Sequence, residues 1–313
     1  MPTPEVHSES LPMVSAQGFP TRVPELVVIS GKGGTGKTSV VASFAMLAEN
    51  VVVADCDVDA ADLHLVLEPR IFQTHTFVSG HGAVIRQGDC GASGTCQKVC
   101  RFGAVIERAS TPGFVIDPLA CEGCGVCVEL CPSRAIDFEE RVAGEWFSST
   151  TRTGPMVHAR LGIAAENSGK LVSTVRAEAK RVAGKNRSDI ILIDGPPGIG
   201  CPVIAAITGV TGVLIVTEPT VSGAHDMGRV LELTAHFGIP AAVCVNRWDL
   251  NPESAERIEA HAREHGVAVV GRIRYDAAVT RAQVEGRTVV ELGGAAAGDI
   301  RVVWDHVQRW LAG

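Results

Sequence analysis

Seven cysteines between Cys90 and Cys131 have spacings typical of metal ligands. They lie in an internal repeat, because five positions recur 31 residues later with the same or a similar residue. The pairs are Cys90 and Cys121, Cys96 and Cys127, Cys100 and Cys131, Ala104 and Ala135, and Val105 and Ile136. Closely spaced thiolates of this kind favour iron–sulfur chemistry. A disulfide knot or a zinc site is the alternative, but zinc sites typically use two separated CxxC pairs.

The second copy of the repeat resembles the cysteine run of bacterial ferredoxins. It reads Cys121-x2-Cys124-x2-Cys127-x3-Cys131-Pro132, and in ferredoxins the fourth cysteine of such a run ligates the other cluster. The resemblance implies one 4Fe–4S cluster held by Cys100, Cys121, Cys124 and Cys127.

The first copy is incomplete, because Ser93 stands at the position that matches Cys124. The resemblance therefore leaves the second cluster only three thiolates, those of Cys90, Cys96 and Cys131. We expect a 3Fe–4S cluster there. A degenerate, labile 4Fe–4S cluster, or ligation by serine alkoxide or solvent, is the alternative.

A phosphate-binding loop precedes the repeat. An apolar strand at 26–30 runs into Gly31-Lys32-Gly33-Gly34-Thr35-Gly36-Lys37-Thr38, and a helical segment follows. In such a loop the backbone N–H groups converge on phosphate oxygens, the lysine reaches the β/γ-phosphates and the threonine hydroxyl takes a Mg²⁺ position. We therefore predict nucleotide binding by Gly33, Gly34, Thr35, Gly36, Lys37 and Thr38.

Polar side chains follow three further apolar strands. The strand at 51–54 leads into Asp55 and Asp57, that at 190–193 into Asp194, and that at 241–245 into Asn246. Carboxyl ends of parallel strands bind ligands in α/β sheets. Asp194, followed by the glycine- and proline-rich segment 195–200, fits a residue that holds Mg²⁺ through water next to a switch loop.

The early lysine, Lys32, gives the loop the variant Walker A sequence GKGGTGKT, which resembles that of the MinD/ParA/Mrp and nitrogenase-iron-protein group of ATPases. The resemblance implies that Lys32 reaches the partner's phosphates in a nucleotide-dependent homodimer, that Asp57 orients the attacking water and that Asn246 contacts adenine. A solvated loop charge is the alternative for Lys32. Asn246 and Asp249 also match the guanine-reading motif of GTPases, so the preference for ATP rests on the resemblance.

The alternation of strands and helices predicts an α/β fold with a doubly wound, mostly parallel sheet. We expect a disordered leader at 1–24, a P-loop ATPase domain at 25–83 and 140–313, and an inserted small α+β two-cluster ferredoxin-type domain at 84–139. The polar segment 144–155 is interpreted as a hinge. The segment 302–311 is interpreted as a helix docked on the sheet rather than a membrane anchor.

Composition limits the function classes. A net charge of −7 and 4% aromatic residues disfavour nucleic-acid binding. The sequence has neither an apolar run long enough for a membrane span nor the pattern of a signal peptide, so we expect a cytoplasmic protein.

From about residue 25 onward the chain resembles MinD-superfamily ATPases that contain an inserted ferredoxin domain. The leading hypothesis is an ATP-gated electron carrier that works between an unidentified redox donor and an unidentified acceptor protein. The alternatives are an ATPase for iron–sulfur or metallocofactor assembly and a spatial organiser like MinD or ParA. A further hypothesis is that Cys56 and Cys201 ligate another cluster at the dimer interface.

Overall fold

A computed structural model describes residues 23–162 and 168–313. Its centre is a nine-stranded sheet. In spatial order the strands are β11 (Ala268–Ile273), β10 (Ala241–Asn246), β9 (Gly212–Thr217), β1 (Glu25–Ser30), β8 (Ile190–Pro197), β2 (Val51–Asp55), β7 (Gly154–Leu161), β6 (Ile136–Thr151) and β3 (Arg70–Ile85). The first seven run parallel, whereas β6 is antiparallel to both of its neighbours. The predicted doubly wound, mostly parallel sheet is confirmed.

Helices cover both faces of the sheet, because the buried strands are apolar on both sides. Val27 and Ile29 of β1 belong to one core, and Leu26 and Val28 belong to the other. The first core is covered by α5 (Ser168–Asn186), α6 (Cys201–Ile207), α7 (Val221–His236) and α8 (Pro252–Glu264). The second is covered by α1 (Lys37–Leu47), α2 (Leu63–Leu67), α9 (Ala277–Val284), α10 (Val289–Leu292) and α11 (Ala295–Ala312). A short 3-10 turn (Trp248–Leu250) follows β10.

The C-terminal helix packs on the sheet as predicted. Ile300, Val303, Trp304 and Val307 of α11 are buried, and the Trp304 ring lies 4.8 Å from that of Phe44 on α1. Among the described residues, no helix combines the length and the apolar character that a bilayer crossing demands.

Strands β3 and β6 form an arm that extends beyond the sheet. The pairing of β6 with β7 ends at Gly144 and Leu161, whereas β6 continues with β3 as far as Ile136 and Ile85. The eight residues 136–143 therefore reach about 27 Å past the end of β7. Because β7 is parallel to β2, the arm, defined here as residues 78–85 and 136–143, projects from the sheet edge at which β2 ends.

The arm supports a small cysteine module, residues 86–135. The module contains α3 (Thr95–Val99), α4 (Val126–Glu129) and a two-stranded sheet of β4 (Val105–Glu107) and β5 (Phe114–Ile116). Its core joins Val105, Phe114 and Cys96 to the arm residues Ile85 and Ile136. The expected insert boundaries, 84 and 139, fall inside continuous strands.

The hinge predicted at 144–155 is wrong. These residues form the end of β6 and the start of β7, joined by a turn at Arg152 and Thr153. Two of their polar side chains, Ser148 and Ser149, are buried with partners: Ser149 Oγ lies 2.9 Å from His158 Nε2, and Ser148 Oγ donates to Glu178 Oε1 over 3.4 Å. The disordered leader was predicted for 1–24, of which 1–22 lie outside the described residues.

Candidate functional site

A cavity of about 550 Å³ lies at the edge where the parallel strands end. The predicted phosphate loop lines it, together with side chains that follow β2 and β10. The expected nucleotide-binding residues that share this cavity are Gly33, Gly34, Thr35, Gly36, Lys37, Thr38, Asp57 and Asn246. The fold thus brings together residues that are more than 200 positions apart in the sequence.

The backbone of the loop requires glycine. Gly34 and Gly36 have φ angles of 81° and 86°, and a Cβ on Gly36 would lie only 2.4 Å from Asn246 Nδ2. Asn246 Nδ2 donates to the Thr35 carbonyl oxygen over 2.7 Å, and Asn246 Oδ1 accepts from the Arg247 N–H over 3.0 Å. Asn246 therefore joins the end of β10 to the phosphate loop. Its contact with adenine stays a prediction, to be made with the one N–H and the one lone pair that these bonds leave.

Lys37 is buried between two carboxylates. Its Nζ lies 2.7 Å from Asp194 Oδ1 and 3.2 Å from Asp57 Oδ2. Burial alone would lower the pKa of Lys37, but the negative charges of Asp194 and Asp57 raise it above its ordinary value. The ammonium is therefore charged, and two of its three N–H groups already donate to protein.

Asp55 adds a third carboxyl group to this cluster. It is completely buried, and its Oδ1 accepts from the Asp57 N–H over 3.2 Å. Burial and the neighbouring Asp194 carboxylate raise the pKa of Asp55 well above its ordinary value. Burial likewise raises the pKa of Asp57, against the opposing effect of Lys37. Three acidic groups thus surround one ammonium.

Buried oxygen atoms without a hydrogen-bond partner make this site suitable for Mg²⁺ and a nucleotide. Within the described residues, Asp194 Oδ2, Asp55 Oδ2 and Thr35 Oγ1 are buried and have no hydrogen-bond partner. Oxygen ligands and surplus negative charge suit a divalent cation. Glycine N–H groups at the start of α1 suit phosphate.

Lys32 and Lys37 bind different partners. The Lys32 Nζ is 2.6 Å from Glu218 Oε1 and donates to Ser222 Oγ over 3.0 Å. Glu218 Oε2 also pairs with Arg247 Nη1 at 3.2 Å. Lys32 is therefore ion-paired inside its own protomer, and its action on a partner's phosphates stays a prediction.

Sequence reasoning missed residues that line the nucleotide cavity after β11. Arg274 and Tyr275 line the cavity, as does Gln283 on α9, whose Nε2 donates to Ser39 Oγ over 2.8 Å. Tyr275 is the only tyrosine of the chain, which is a weak signal. No sequence signal pointed to Glu218, because its role depends on its distance from Lys32.

The cysteines of the module form two groups, each drawn from both copies of the repeat. Cys100, Cys121, Cys124 and Cys127 line one small cavity. Cys90, Cys96 and Cys131 line a second one, together with Ser93. These are the ligand groupings that the ferredoxin resemblance implied, and four thiolates around one cavity are a donor set typical of a four-iron cluster.

The pKa of the Cys131 thiol depends on both burial and hydrogen bonds. Burial would raise the pKa of its thiol, but bonds from the Ser133 hydroxyl and the Ala135 N–H bring it below the ordinary value. In residues 23–162 and 168–313, no three His, Cys, Asp or Glu side chains are grouped as they would be around a single metal ion. In a cluster each thiolate binds a different iron atom, so its ligands lie farther apart than those of one ion.

Cys56 and Cys201 have different environments. Cys56 is completely buried, and burial raises the pKa of its thiol. Cys201 is exposed at the start of α6. The hypothesis that both ligate a cluster at a dimer interface is wrong for Cys56, because a side chain enclosed in the core cannot reach a partner.

Residues 26–289 match the family model of the CobQ/CobB/MinD/ParA nucleotide binding domain. Two relatives come from Methanocaldococcus jannaschii. Uncharacterized protein MJ0578 is 32% identical over 72% of this chain and 79% of its own length. Uncharacterized protein MJ0579 is 26% identical over 72% of this chain and 81% of its own length.

Solved structures have the same fold at low identity. The cell division ATPase MinD of Pyrococcus furiosus has a TM-score of 0.53 and 18% identity, covering 92% of this chain and 99% of its own. The septum site-determining protein MinD of Pyrococcus horikoshii OT3, complexed with Mg-ADP, has a TM-score of 0.52 and 18% identity, covering 93% and 97%. A variant of Cyanothece McdA in complex with ATP has a TM-score of 0.52 and 17% identity, again covering 93% and 97%.

Proposed function

Since the chain belongs to the CobQ/CobB/MinD/ParA nucleotide-binding family, we propose that it binds ATP with Mg²⁺, hydrolyses it to ADP and phosphate, and thereby controls electron transfer through two iron–sulfur clusters. The proposal has three parts, which are the hydrolytic site, the clusters and their coupling. The names of the relatives and structures given above mention no iron, so the second and third parts rest on the residues of this chain.

The hydrolytic site is supported by the polar groups around Lys37. When bound, Mg²⁺ neutralises charge that develops on the phosphates. Thr38 and Asp194 would hold it, the first by its hydroxyl and the second by the buried oxygen that has no protein partner among the described residues. The remaining N–H of Lys37 would donate to phosphate. Asp57, at the cavity wall, would orient the attacking water through its carboxylate.

The dimer is supported by family resemblance and by the position of Lys32. This lysine is held by Glu218 at the surface rather than inside its own nucleotide cavity. Release from Glu218 would free its ammonium for the phosphates of a second protomer. The proposed working unit is therefore a nucleotide-dependent homodimer.

The clusters are supported by the two cysteine groups. Cys100, Cys121, Cys124 and Cys127 would hold a 4Fe–4S cluster. Cys90, Cys96 and Cys131 would hold a 3Fe–4S or an incompletely ligated 4Fe–4S cluster. When bound, such clusters accept and release single electrons, and the protein sets their potentials through charge and hydrogen bonds.

The arm carries the argument for coupling. It leaves the sheet at the edge that holds the nucleotide cavity. Its continuous strands therefore connect the cysteine module to that edge. Asp57 follows the end of β2 and Asp194 lies on β8, and these strands are one and two strands away from β7. A nucleotide that favours one arrangement of this edge would also shift the module.

The test is redox-poised EPR of anaerobically purified protein with and without ATP, together with iron and sulfide counts. We expect ATP to shift the potential or line shape of a cluster signal. The Lys37→Ala variant should lose at least about a hundredfold in hydrolysis and the ATP response, while keeping the visible absorbance of the clusters. Cluster signals that ignore ATP in the wild type would contradict the coupling, and absence of iron and sulfide would contradict the clusters.

A second candidate function is that of a spatial organiser, which the fold likeness to the MinD structures favours. At 18% identity this likeness concerns the fold. The distinguishing experiment is co-sedimentation with anionic phospholipid vesicles and with duplex DNA, each with ATP or ADP. Binding to either surface that depends on ATP and is lost in Lys37→Ala would support the organiser, and no binding would count against it.

A further inference from the structure

The two cysteine loops repeat in backbone conformation as well as in sequence. Helices α3 and α4 begin at Thr95 and Val126, which are 31 positions apart. Left-handed φ angles recur at the same offset: Ala92 and Gly123 (51° and 62°), Gly94 and Gly125 (71° and 75°), and Gly103 and Arg134 (64° and 50°). Ala92 adopts a backbone conformation that is unfavourable for an L-residue. The first loop therefore keeps the ligand-presenting backbone of the second.

Ser93 occupies the place in this loop that Cys124 occupies in the other. Both residues are exposed, and each lies at the cavity lined by the cysteines of its group. The Ser93 hydroxyl is turned to its own loop: Oγ lies 3.3 Å from Thr95 Oγ1 and 3.5 Å from the Thr95 N–H. A neutral hydroxyl that already has local partners is a poor iron ligand compared with a thiolate.

The surroundings of this position suit a small anionic ligand. Gly91, Ala92 and Ser93 leave it open to solvent. Arg108 lies near Cys90 of this site, because its Cδ and Cys90 Sγ are both within 4 Å of where a Cβ on Gly113 would stand. The Arg108 guanidinium donates to Gln87 Oε1 over 2.8 Å, which holds the positive charge near the first site.

We propose that the first cysteine site is a ligand-binding site, in which a small thiol from solution binds next to Ser93 and supplies the fourth sulfur that Cys90, Cys96 and Cys131 lack. With a 4Fe–4S cluster held there, the thiol sulfur would bond to the iron that no cysteine ligates, its proton would pass to solvent, and no electron would be transferred. The inference rests on the proposed clusters. It assigns the first site a ligand class and leaves simple electron transfer to the second site, whose four positions are all cysteine.

The experiment uses the full chain, reconstituted without oxygen with iron and sulfide, reduced with dithionite and titrated with 2-mercaptoethanol deuterated on carbon. In the wild type we expect a saturable change in one of two EPR signals and deuterium couplings in ENDOR spectra. The second site is the internal control. Ser93→Cys should abolish the response, because its own thiolate would then take the fourth position. The matched variant Cys124→Ser should make the second site respond as well.

The outcomes separate this inference from the proposed function. Two clusters in the wild type with no response to thiol, and spectra identical to those of Ser93→Cys, would overturn the ligand site and leave the clusters standing. A response that persists in Ser93→Cys would also overturn it, because the thiol would then bind elsewhere. Absence of iron and sulfide from both sites would overturn the clusters and the ligand site together.

Discussion

At the scale of residues, the nucleotide edge concentrates more negative than positive charge. The single ammonium of Lys37 pairs with two carboxylates, those of Asp57 and Asp194, and Asp55 is buried beside them with one oxygen unpartnered among the described residues. Burial of a carboxylate without a full set of partners costs free energy. The nucleotide-free edge is therefore strained electrostatically, which favours uptake of a divalent cation.

Asp55 makes the stability of the nucleotide-free protein depend on pH. Its pKa is raised in the folded state, so the stability that protonation provides is fully present below the unfolded-state pKa of about 3.9 and is lost as pH rises through the folded value. Asp55→Asn should make this loss of stability with rising pH smaller, leaving the part that the raised pKa of Asp57 contributes. Urea unfolding of Mg²⁺-free protein, followed upward from about pH 4, measures it.

The control for this prediction is Asp59→Asn, which changes an exposed acidic residue of the same loop. The Asp59 variant should keep the wild-type dependence of unfolding free energy on pH. Parallel curves for wild type and Asp55→Asn would show that Asp55 is not the titrating group.

At the scale of elements, the two cysteine loops have the same backbone conformation, but they differ in whether a side chain fits at one matching position. Gly123 has a φ of 62°, and a Cβ there would lie 2.1 Å from the His81 carbonyl oxygen on the arm. Ala92 has a Cβ at the matching position with a φ of 51°. The second loop is thus packed against the arm at a point where the first is free.

The packing of Gly123 and Ala92 predicts that opposite substitutions at these two positions have different effects on the stability of the module. Gly123→Ala should destabilise the module by more than the roughly 1–2 kcal/mol of a left-handed alanine, because the clash with His81 adds to it, and should reduce cluster content. Ala92→Gly should leave the module as stable as the wild type or more so. Thermal unfolding and iron content measure both, and equal effects of the two variants would contradict the packing argument.

At the scale of the whole molecule, the nucleotide cavity and the arm lie at the same edge of the sheet, where the parallel strands end. A dimer that closes over two nucleotides would therefore bring the arms and modules of both protomers to the interface side. Lys32 lies on this side, held by Glu218.

Lys32→Ala should abolish nucleotide-dependent dimerisation while each protomer still binds nucleotide, because the phosphate loop and Lys37 are unchanged. Analytical ultracentrifugation with a non-hydrolysable ATP analogue measures the mass, and nucleotide fluorescence measures binding. The control is Lys180→Ala, which removes another ion-paired lysine, bound to Glu25 over 3.0 Å at the far edge of the sheet. A Lys32 variant that dimerises like the wild type would contradict the role in the partner's site.

The sequence by itself determined the four strands that lead into the nucleotide site (β1, β2, β8 and β10), the C-terminal helix, the phosphate loop and the doubled cysteine pattern. These follow from local apolar patterning and from spacing, which neighbouring residues fix. It failed at 144–155, because Ser148 and Ser149 are polar by composition and buried only through partners on β7 and α5. Only the tertiary structure decided that Lys37 lies between Asp57 and Asp194, that Glu218 holds Lys32 and that the arm leaves from the nucleotide edge. Each of these depends on distances between residues far apart in the chain, which the order of strands in the sheet sets.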